Sequence, residues 1–441
     1  MQFIKPTLSS AHAEAEELPN LIGQNVFIHG MIYKIRLMSG FAFVLLQTKR
    51  QLVQCVWSEN WSDFPITDLK CNMAVVIRGE GAAEERSRAG FELRIRSFEP
   101  LSIPYEEPPV VINNKELDVS LDTLLDWRPV TLRNSRQRAV FKIQEGLCRG
   151  FRQFLETNRF TEIHSPKIVF SGAEGGANIF ALDYFGREAY LTQSPQFYKQ
   201  IMVGVYERVF EIAPVFRAEK HHTSRHVNEY TSVDLEMGFI DNFTELMALE
   251  TRMIAETLAY LQTEYADELK LLNAKIPKVT AIPAMKFDEA KKLIAETYGR
   301  EISDWEDFDP EEEKLLCEII REQTGSEFVF VTHYRSSKRP FYAMETPGGP
   351  DYTESFDLLF RGLEVTTGGQ RIHDYRQQVE KMERRGMNTE SFSSYLMAHK
   401  YGLPPHGGLG LGLERFTARL LELPNIRQAT LFPRDTERLT P

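Results

Sequence analysis

Short apolar segments with strand-like alternation follow one another between residues 21 and 100. In "NVFIHGMIYKIR", Val26, Ile28 and Ile32 share one face of the alternation, and the later segments are "GFAFVLL", "QLVQCVW", "MAVVIRGEG" and "FELRIRSFEPL". Five such segments with turn residues between them predict a small closed barrel. We interpret residues 1–103 as a five-stranded oligonucleotide-binding barrel, with an SH3-like barrel as the alternative.

A proline-containing segment without periodicity separates this region from the rest. Residues 104–135 hold several prolines and predict a linker or hinge. From about residue 136, apolar side chains recur at steps of three and four, beginning with Val140, Ile143 and Leu147. This spacing predicts a helix that ends near Asn158. The residue before Pro166 is disfavoured in a helix, so an extended segment is expected to follow.

Strands and helices are mixed over residues 136–441. Strands are predicted at 180–193, 209–217, 230–240, 327–332 and 340–345, with a further pair within 354–374, and helices at 243–270 and 286–298. A glycine-rich turn then leads into a helix from Glu414. Strands joined by hairpins, with helices clustered at the ends, predict an α+β unit in which helices flank an antiparallel sheet.

Composition restricts the class of protein but not its activity. The 441 residues are 42% hydrophobic and 26% charged, as in ordinary globular proteins. There is no signal-like N-terminus and no apolar run of about 18 residues, so export and membrane insertion are not expected. Four scattered cysteines without a CxxC pair favour a cytoplasmic location over a disulfide framework. A net charge of −11 is weak evidence against nucleic acid, because a local basic surface can coexist with it.

The segment "FRAEKHHTSRHVNEYTSVDLEMGF", residues 216–239, is unusually rich in charge. Asp234 and Glu236 alternate with apolar residues, so a strand would place both carboxylates on one face. Arg217 and Glu219 share a face in the same way. In a hairpin these groups would form a ladder of arginine and carboxylates, which suits a polyanionic ligand bridged by Mg²⁺.

Two other interpretations of this segment stay open. The charges could form exposed ion pairs on a solvated sheet face. A zinc site from His221, His222 and His226 is the second, although no HExxH pattern supports it.

Near the C-terminus, "HGGLGLGLER" lacks the βαβ context of a dinucleotide site. Its glycines indicate either close approach of backbone to a ligand or a plain strand-to-helix turn.

Six segments in order resemble the class II aminoacyl-tRNA synthetases, and among them the aspartyl enzymes of the archaeal and eukaryotic type. "TEIHSPKIV" is similar to motif 1, the charged hairpin to motif 2, and "GLGLGLERFTARLLELPNIRQATLFPRD" to motif 3. "EGGANIF", "SPQFYKQ" and "GLEVTTGGQRIHD" lie between them. The resemblance covers essentially the whole chain.

The resemblance implies a homodimer built partly on motif 1 and an N-terminal barrel that reads the anticodon. It implies that ATP and L-aspartate react with Mg²⁺ as cofactor to give aspartyl-adenylate, which then acylates tRNA(Asp). Such a reaction needs no protein nucleophile, so positioning and charge stabilisation would dominate catalysis.

The resemblance also implies residue roles. Arg217, Glu219 and Arg415 would be catalytic, and Glu364 and Thr367 would hold the metal, with Asp357 as a second metal or ATP contact. The ATP contacts would be Arg217, Ala218, Glu219, Arg225, His226, Val227, Glu364, Gly412, Leu413, Glu414 and Arg415. The aspartate contacts would be Glu174, Gln196, Lys199, Arg217, Thr367 and Arg371.

Lys199 and Arg371 bear on the choice of amino acid. A carboxylate needs cationic donors, whereas an amide needs an acceptor for its NH₂ group. The two cations therefore favour aspartate over asparagine, whose synthetase is the nearest alternative. A catalytically silent paralogue that binds RNA is a further alternative, but it would predict loss of the motif arginines or Glu364, all of which are present.

In the barrel, the resemblance assigns anticodon contacts to Arg36, Phe43, Gln54 and Glu92. Phe43 would stack on a base, unless its alternation with Phe41 and Leu45 places it in the core. Strict enzymes of the archaeal group tend to carry Trp where Met31 stands. Its absence favours a relaxed enzyme that also charges tRNA(Asn) and supplies a tRNA-dependent amidotransferase. The family commonly has serine where Thr367 stands. For residues 240–340 no function is predicted beyond scaffolding and contacts with the acceptor stem of tRNA.

Overall fold

A computed structural model describes residues 12–49, 51–87, 89–170, 178–221 and 223–441. The chain divides into two compact units, Met1–Asp118 and Val119–Pro441. Each unit has its own hydrophobic core, as the change in sequence pattern predicts.

The first unit is a closed five-stranded barrel in which the strands neighbour one another in the order β1-β2-β3-β5-β4. Its strands are β1 (Asn25–Leu37), β2 (Phe41–Gln47), β3 (Leu52–Ser58), β4 (Ala74–Ala83) and β5 (Phe91–Ser102). All neighbours are antiparallel except β3 and β5, which pair in parallel. Alternate residues such as Val44, Leu46 and Ile77 fill the interior. The predicted oligonucleotide-binding type of barrel is confirmed.

The second unit contains an eight-stranded sheet flanked by helices, together with a three-stranded and a two-stranded sheet. Its helices are α1 (Leu121–Asp126), α2 (Arg128–Thr131), α3 (Ser135–Thr157), α4 (Gln196–Tyr206), α5 (Thr244–Glu264), α6 (Ala266–Leu272), α7 (Phe287–Tyr298), α8 (Pro310–Thr324), α9 (Tyr375–Arg384), α10 (Ser393–Tyr401) and α11 (Leu413–Leu420). Its strands are β6 (Thr161–Glu162), β7 (Ile168–Val169), β8 (Ala181–Tyr184), β9 (Arg187–Leu191), β10 (Arg208–Phe216), β11 (Glu229–Gly238), β12 (Ala284–Lys286), β13 (Phe328–Thr332), β14 (Glu345–Thr346), β15 (Gly349–Thr353), β16 (Ser355–Phe360), β17 (Glu364–Arg371) and β18 (His406–Gly412).

The strands of the large sheet follow the order β12-β13-β16-β17-β18-β11-β10-β6. The six central strands are antiparallel, and only the pairs at the two edges are parallel. The predicted α+β class with an antiparallel sheet is therefore confirmed.

Helices α3 and α5 pack side by side over the apolar face of this sheet. The predicted apolar positions of α3, among them Ile143 and Leu147, are fully buried in the main core. A Cβ at Gly150 would lie 2.7 Å from Thr257 of α5, so glycine lets the two helices approach closely. The opposite face of the sheet is left for the polar side chains described below.

The structure differs from the local predictions for the linker and for one strand. The predicted linker of residues 104–135 contains α1 and α2, because Leu124 and Leu125 are buried in the second unit and the Arg128 guanidinium donates to the carbonyls of Thr430 and Leu431. The strand predicted at 340–345 is absent apart from the short β14. Its apolar residues Phe341 and Tyr342 are buried as part of a loop.

The segment predicted as a glycine-rich turn is a central strand, β18, between β17 and β11. Two of its glycines, Gly408 and Gly410, face polar side chains of β11. A Cβ at Gly408 would lie 2.1 Å from Oε2 of Glu236 and 2.2 Å from the carbonyl oxygen of Leu235. Only glycine allows the backbone of β18 to pass so close to these groups.

Candidate active site

A cavity of about 700 Å³ opens on the polar face of the large sheet. It brings together most of the residues that the sequence predicts for the site. The predicted residues among its walls are Gln196, Lys199, Arg217, Glu219, Arg225, His226, Val227, Glu364, Thr367, Arg371, Gly412, Glu414 and Arg415.

One end of the cavity holds a buried cluster of charge around Lys199. Its Nζ lies 2.8 Å from Oδ1 of Asp234 and 3.4 Å from Oε2 of Glu236, and donates to the carbonyl of Leu409 at 2.9 Å. Lys199 lies in the first turn of α4, which follows the N-cap residue Pro195. Only 2% of the Lys199 side chain is exposed.

Arg371, the last residue of β17, completes this cluster. Its Nε donates to Oε1 of Glu236 at 3.0 Å, and its Nη2 donates to the carbonyl of Gly408 at 3.0 Å. Oε1 of Gln196 lies 3.5 Å from the same Nη2. The guanidinium also lies over the ring of Tyr342 at 5.3 Å. We call Lys199, Arg371, Asp234, Glu236 and Gln196 the cation pocket.

The carboxylates of β11 are buried rather than solvated. Asp234 and Glu236 share one face of the strand, as predicted, and the two are 3% and 0% exposed. Burial opposes ionisation of Glu236, but the charges of Arg371 and Lys199 outweigh it and lower the pKa of that carboxyl group. The alternative of exposed ion pairs on a solvated face is therefore wrong.

The predicted hairpin is formed by β10 and β11, which pair from Arg208 opposite Met237 to Phe216 opposite Glu229. Beyond it, Nη1 of Arg217 lies 3.8 Å from Oε1 of Glu219, as expected for residues that share a face. Nδ2 of Asn228 donates to the carbonyls of Arg217 and Glu219 at 2.7 and 2.9 Å. Asn228, which the sequence analysis missed, thus fixes the conformation at the base of the loop.

One carboxylate, Glu364, lines the cavity, and a second, Asp357, is buried close enough to interact with it electrostatically. Oγ1 of Thr367 donates to Oε1 of Glu364 at 3.2 Å, and Nη1 of Arg415 lies 3.4 Å from the same oxygen. Burial opposes ionisation of Glu364, but Arg415 and Arg339 outweigh it and lower its pKa. Burial raises the pKa of Asp357, with Arg339 opposing and Glu364 adding to the rise.

This carboxylate pair fits a hard divalent cation. Oδ1 of Asp357 is buried and has no hydrogen-bond partner within the described ranges, so it is left with an unused acceptor. Glu364 and the Thr367 hydroxyl add further oxygen atoms, which Mg²⁺ prefers as ligands. The donor set of the chain therefore matches the metal that the sequence predicts.

Arg339 is a further cavity residue that the sequence analysis missed. Its Nη2 lies 2.7 Å from Oδ2 of Asp357, and its guanidinium lies 3.9 Å above the ring of Tyr334. It belongs to the loop after β13, which has neither a motif nor a periodic pattern. Its place becomes evident only when β13 and β16 pair and bring the loop to the cavity.

Other predicted residues lie away from the cavity walls. The Ala218 amide donates to the Asn178 carbonyl at 3.0 Å, and Leu413 is buried in the main core. Glu174 lies outside the described residues, as does His222. The rings of His221 and His226 are 6.0 Å apart. Where the structure describes the chain, no three His, Cys, Asp or Glu side chains form a metal-binding group.

The predicted anticodon residues lie together on the outer face of the barrel unit. Phe43 pairs with Arg36 across β1 and β2, and Gln54 lies on the neighbouring strand β3. Phe43 is half-buried, whereas Ala42 and Val44 on either side of it fill the core. The alternative that Phe43 belongs to the core is therefore wrong. The nearby carboxyl group of Glu92 is hydrogen-bonded to Gln54, and Met31 is half-buried opposite Gln47.

Within the part of the chain that the structure describes, no helix combines the length and the apolar character needed to cross a membrane.

Comparison with known proteins gives a consistent picture. The family model for "tRNA synthetases class II (D, K and N)" matches residues 120–436. The aspartate–tRNA(Asp/Asn) ligase of Thermus thermophilus is 46% identical over 421 residues, which cover 95% of this chain and 97% of that protein. The aspartate–tRNA(Asp/Asn) ligase of Deinococcus radiodurans is 45% identical over 431 residues, with 96% and 98% covered.

A solved structure agrees with these sequences. The asparaginyl-tRNA synthetase of Pyrococcus horikoshii, complexed with asparaginyl-adenylate, has a TM-score of 0.90 and 28% identity, and the match covers 98% of this chain and 99% of that one. This chain matches these proteins over nearly its full length. The matched length includes the barrel and the antiparallel sheet that carries the cavity. The chain belongs to the class II tRNA synthetases of the aspartate, lysine and asparagine group.

Proposed function

We propose that this chain is an aspartate–tRNA ligase, which joins L-aspartate to the 3′ end of tRNA(Asp) at the expense of ATP. The observation that carries the proposal is the cation pocket, where Lys199 and Arg371 lie buried at one end of a polar cavity. The names of the relatives at 45–46% identity support the same activity.

In the first step a carboxylate oxygen of aspartate attacks the α-phosphorus of ATP, and the bond to pyrophosphate breaks. Arg217, the residue that follows β10, would neutralise charge on the α-phosphate. Arg225 and His226 on the loop would bind the β- and γ-phosphates, and Arg415 would clamp the γ-phosphate or stack on adenine. In the second step a hydroxyl of the terminal ribose of tRNA takes the aspartyl group, and AMP leaves. The contribution of the protein is orientation and fixed charge.

The cofactor that we propose is Mg²⁺, held by Glu364 and Thr367 with Asp357 beside them. When bound, it would neutralise phosphate charge. Arg415 and Arg339 neutralise the carboxylates on the protein side. The positive charges of these two arginines balance the negative charges of Glu364 and Asp357. This part of the site is therefore close to neutral before the substrates bind.

Selection of aspartate over asparagine follows from the donors of the cation pocket. Lys199 and Arg371 present only N–H groups, which suit the two oxygens of a carboxylate. An amide would place its own NH₂ against these donors. The asparaginyl alternative is less well supported, because the solved asparaginyl enzyme is 28% identical whereas the aspartate ligases are 45–46% identical.

For tRNA we propose a relaxed enzyme that charges both tRNA(Asp) and tRNA(Asn). Met31 stands where strict enzymes of the archaeal group tend to carry Trp, and both relatives described above are named for the two tRNAs. The Asp-tRNA(Asn) product would then require a tRNA-dependent amidotransferase. On the barrel, Arg36, Phe43, Gln54 and Glu92 would contact the anticodon.

Charging of purified tRNAs tests this function directly. With labelled aspartate we expect kcat/KM values for tRNA(Asp) and tRNA(Asn) within about tenfold of each other, a difference of about 1.4 kcal/mol. Met31→Trp is expected to lower charging of tRNA(Asn) more than that of tRNA(Asp). A preference of about a hundredfold for tRNA(Asp), or about 2.7 kcal/mol, would instead indicate a strict enzyme. No charging of either tRNA would refute the proposed function.

Glu364→Gln tests the proposed metal site. We expect the Mg²⁺ concentration that gives half-maximal ATP–pyrophosphate exchange to rise by about tenfold, because a neutral amide replaces a charged oxygen ligand. Glu383→Gln on α9 removes an exposed charge and serves as control. A folded Glu364→Gln enzyme with the Mg²⁺ dependence of the wild type would exclude Glu364 as a ligand.

A homodimer is part of the same proposal. The strand β6, in the segment that resembles motif 1, is an edge of the large sheet. Ile168 in this segment and Phe170 directly after it are exposed apolar residues. Such residues are common where subunits meet.

A further inference from the structure

Helix α8 brings one carboxylate to the loop that would bind the phosphates. Oε2 of Glu313 accepts a hydrogen bond from Nη2 of Arg225. The two side chains are 11% and 18% exposed, so the ion pair is largely shielded from water. α8 lies in the 240–340 region, for which the sequence predicts no function beyond scaffolding and contacts with the acceptor stem of tRNA.

The N-terminal turn of α8 holds the backbone of Glu313 in place. Oδ1 of Asp309 accepts from the amides of Glu311 and Glu312 at 2.8 and 2.9 Å, and the Glu312 carboxylate accepts from the Asp309 amide at 2.9 Å. This capping box is fixed by Lys291, a fully buried residue whose Nζ lies 2.6 Å from Glu312. The backbone that carries Glu313 is therefore fixed by these contacts.

The charges around this ion pair favour a polyanion. Arg415 interacts electrostatically with Glu313. Arg419 interacts electrostatically with both Arg225 and Glu313. Burial raises the pKa of Glu313 to about 7, while Arg225 opposes this rise and Glu364 adds to it. A phosphate group at Arg225 would meet the Glu313 carboxylate as a like charge in a poorly solvated place.

We propose that Glu313 is the counter-ion of Arg225 in the nucleotide-free enzyme, and that it competes with the β- and γ-phosphates of ATP for this guanidinium. ATP takes Arg225 from Glu313, and Glu313 recovers it as pyrophosphate leaves. Glu313 is thus a positioning residue. It sets the affinity of the site for ATP at the start of the first step and for pyrophosphate at its end. The inference rests on the proposed function and gives α8 a part in it.

The variant Glu313→Gln tests the competition. Its amide oxygen can still accept a hydrogen bond from Arg225, but the negative charge is gone. In aspartate-dependent ATP–pyrophosphate exchange at pH 8, where most of the Glu313 carboxyl group is ionised, we expect the KM for ATP and the inhibition constant of pyrophosphate both to fall by about three- to tenfold. Glu322→Gln, an exposed residue of the same helix, should change neither constant.

The outcomes separate the inference from the function. Unchanged or higher constants in a folded Glu313→Gln enzyme would overturn the role of Glu313, whereas wild-type enzyme without any exchange would overturn the proposed function. If the variant does not fold, the wild-type enzyme crystallised with a non-hydrolysable ATP analogue decides. We expect the Arg225 guanidinium on the phosphates and no longer on Glu313, and an intact Arg225–Glu313 bond there would refute the competition.

Discussion

Lys199→Met is expected to abolish activation of aspartate almost completely. Methionine keeps much of the length of lysine but leaves the substrate carboxylate without one of its two cations. Loss of one partner of a buried, hydrogen-bonded charge pair costs about 4 kcal/mol, which corresponds to a fall of about a thousandfold in kcat/KM for aspartate in ATP–pyrophosphate exchange. Lys292→Met, an exposed residue of α7, is the matched control and should be active.

The same substitution also leaves Asp234 and Glu236 buried without Lys199. We expect the free energy of unfolding to fall by about 3–5 kcal/mol. The double variant Lys199→Met/Asp234→Asn removes one uncompensated charge, so it should regain much of this stability while aspartate activation stays lost. Recovery of activity together with stability would mean that Lys199 has a structural role only.

Gly408→Ala is expected to disrupt the site without changing a single charged group. The new Cβ would lie 2.1 Å from Oε2 of Glu236 and 2.2 Å from the carbonyl oxygen of Leu235. The backbone of β11 cannot retreat, because β10 holds its other side. We expect a loss of about 3 kcal/mol in the free energy of unfolding from this overpacking.

The rate of aspartate activation should fall as well in the Gly408→Ala enzyme. The Gly408 carbonyl accepts from Arg371, so any shift of β18 moves the cation pocket. A misplacement of about 1 Å costs about a hundredfold in rate. Gly349→Ala is the control, since a Cβ there has no heavy atom within 4 Å. Urea unfolding and exchange assays on both variants measure the difference, and wild-type behaviour of Gly408→Ala would refute the proposed close packing.

The alternation of charge along residues 233–237 was sufficient to predict a strand with both carboxylates on one face. It could not predict their burial, because that depends on α4, which covers the strand with Lys199. The glycines of β18 were interpreted as a turn, since glycine weakens an isolated strand. Glycine is needed at Gly408 and Gly410 because side chains of the neighbouring strand β11 come close to the backbone there. The local sequence pattern does not contain this information.

Arg339 and Glu313 show a second limit of the sequence. Both contact residues far away along the chain, Asp357 and Arg225 respectively. The start of α8 was nevertheless recognisable, because "DPEEE" combines an N-cap aspartate, a proline and a capping-box glutamate. A search for helix caps would have found the helix but not the target of Glu313.

The position of β18 has a consequence for folding during synthesis on the ribosome. All the other strands of the large sheet precede β18 in the chain, yet it joins β17 to β11 at the centre. A nascent chain that has not reached residue 406 therefore holds two separate half-sheets, each with an unpaired edge that invites aggregation. Arg371 lies on one half and Asp234 on the other, so the aspartate site is assembled only when this last strand inserts between them.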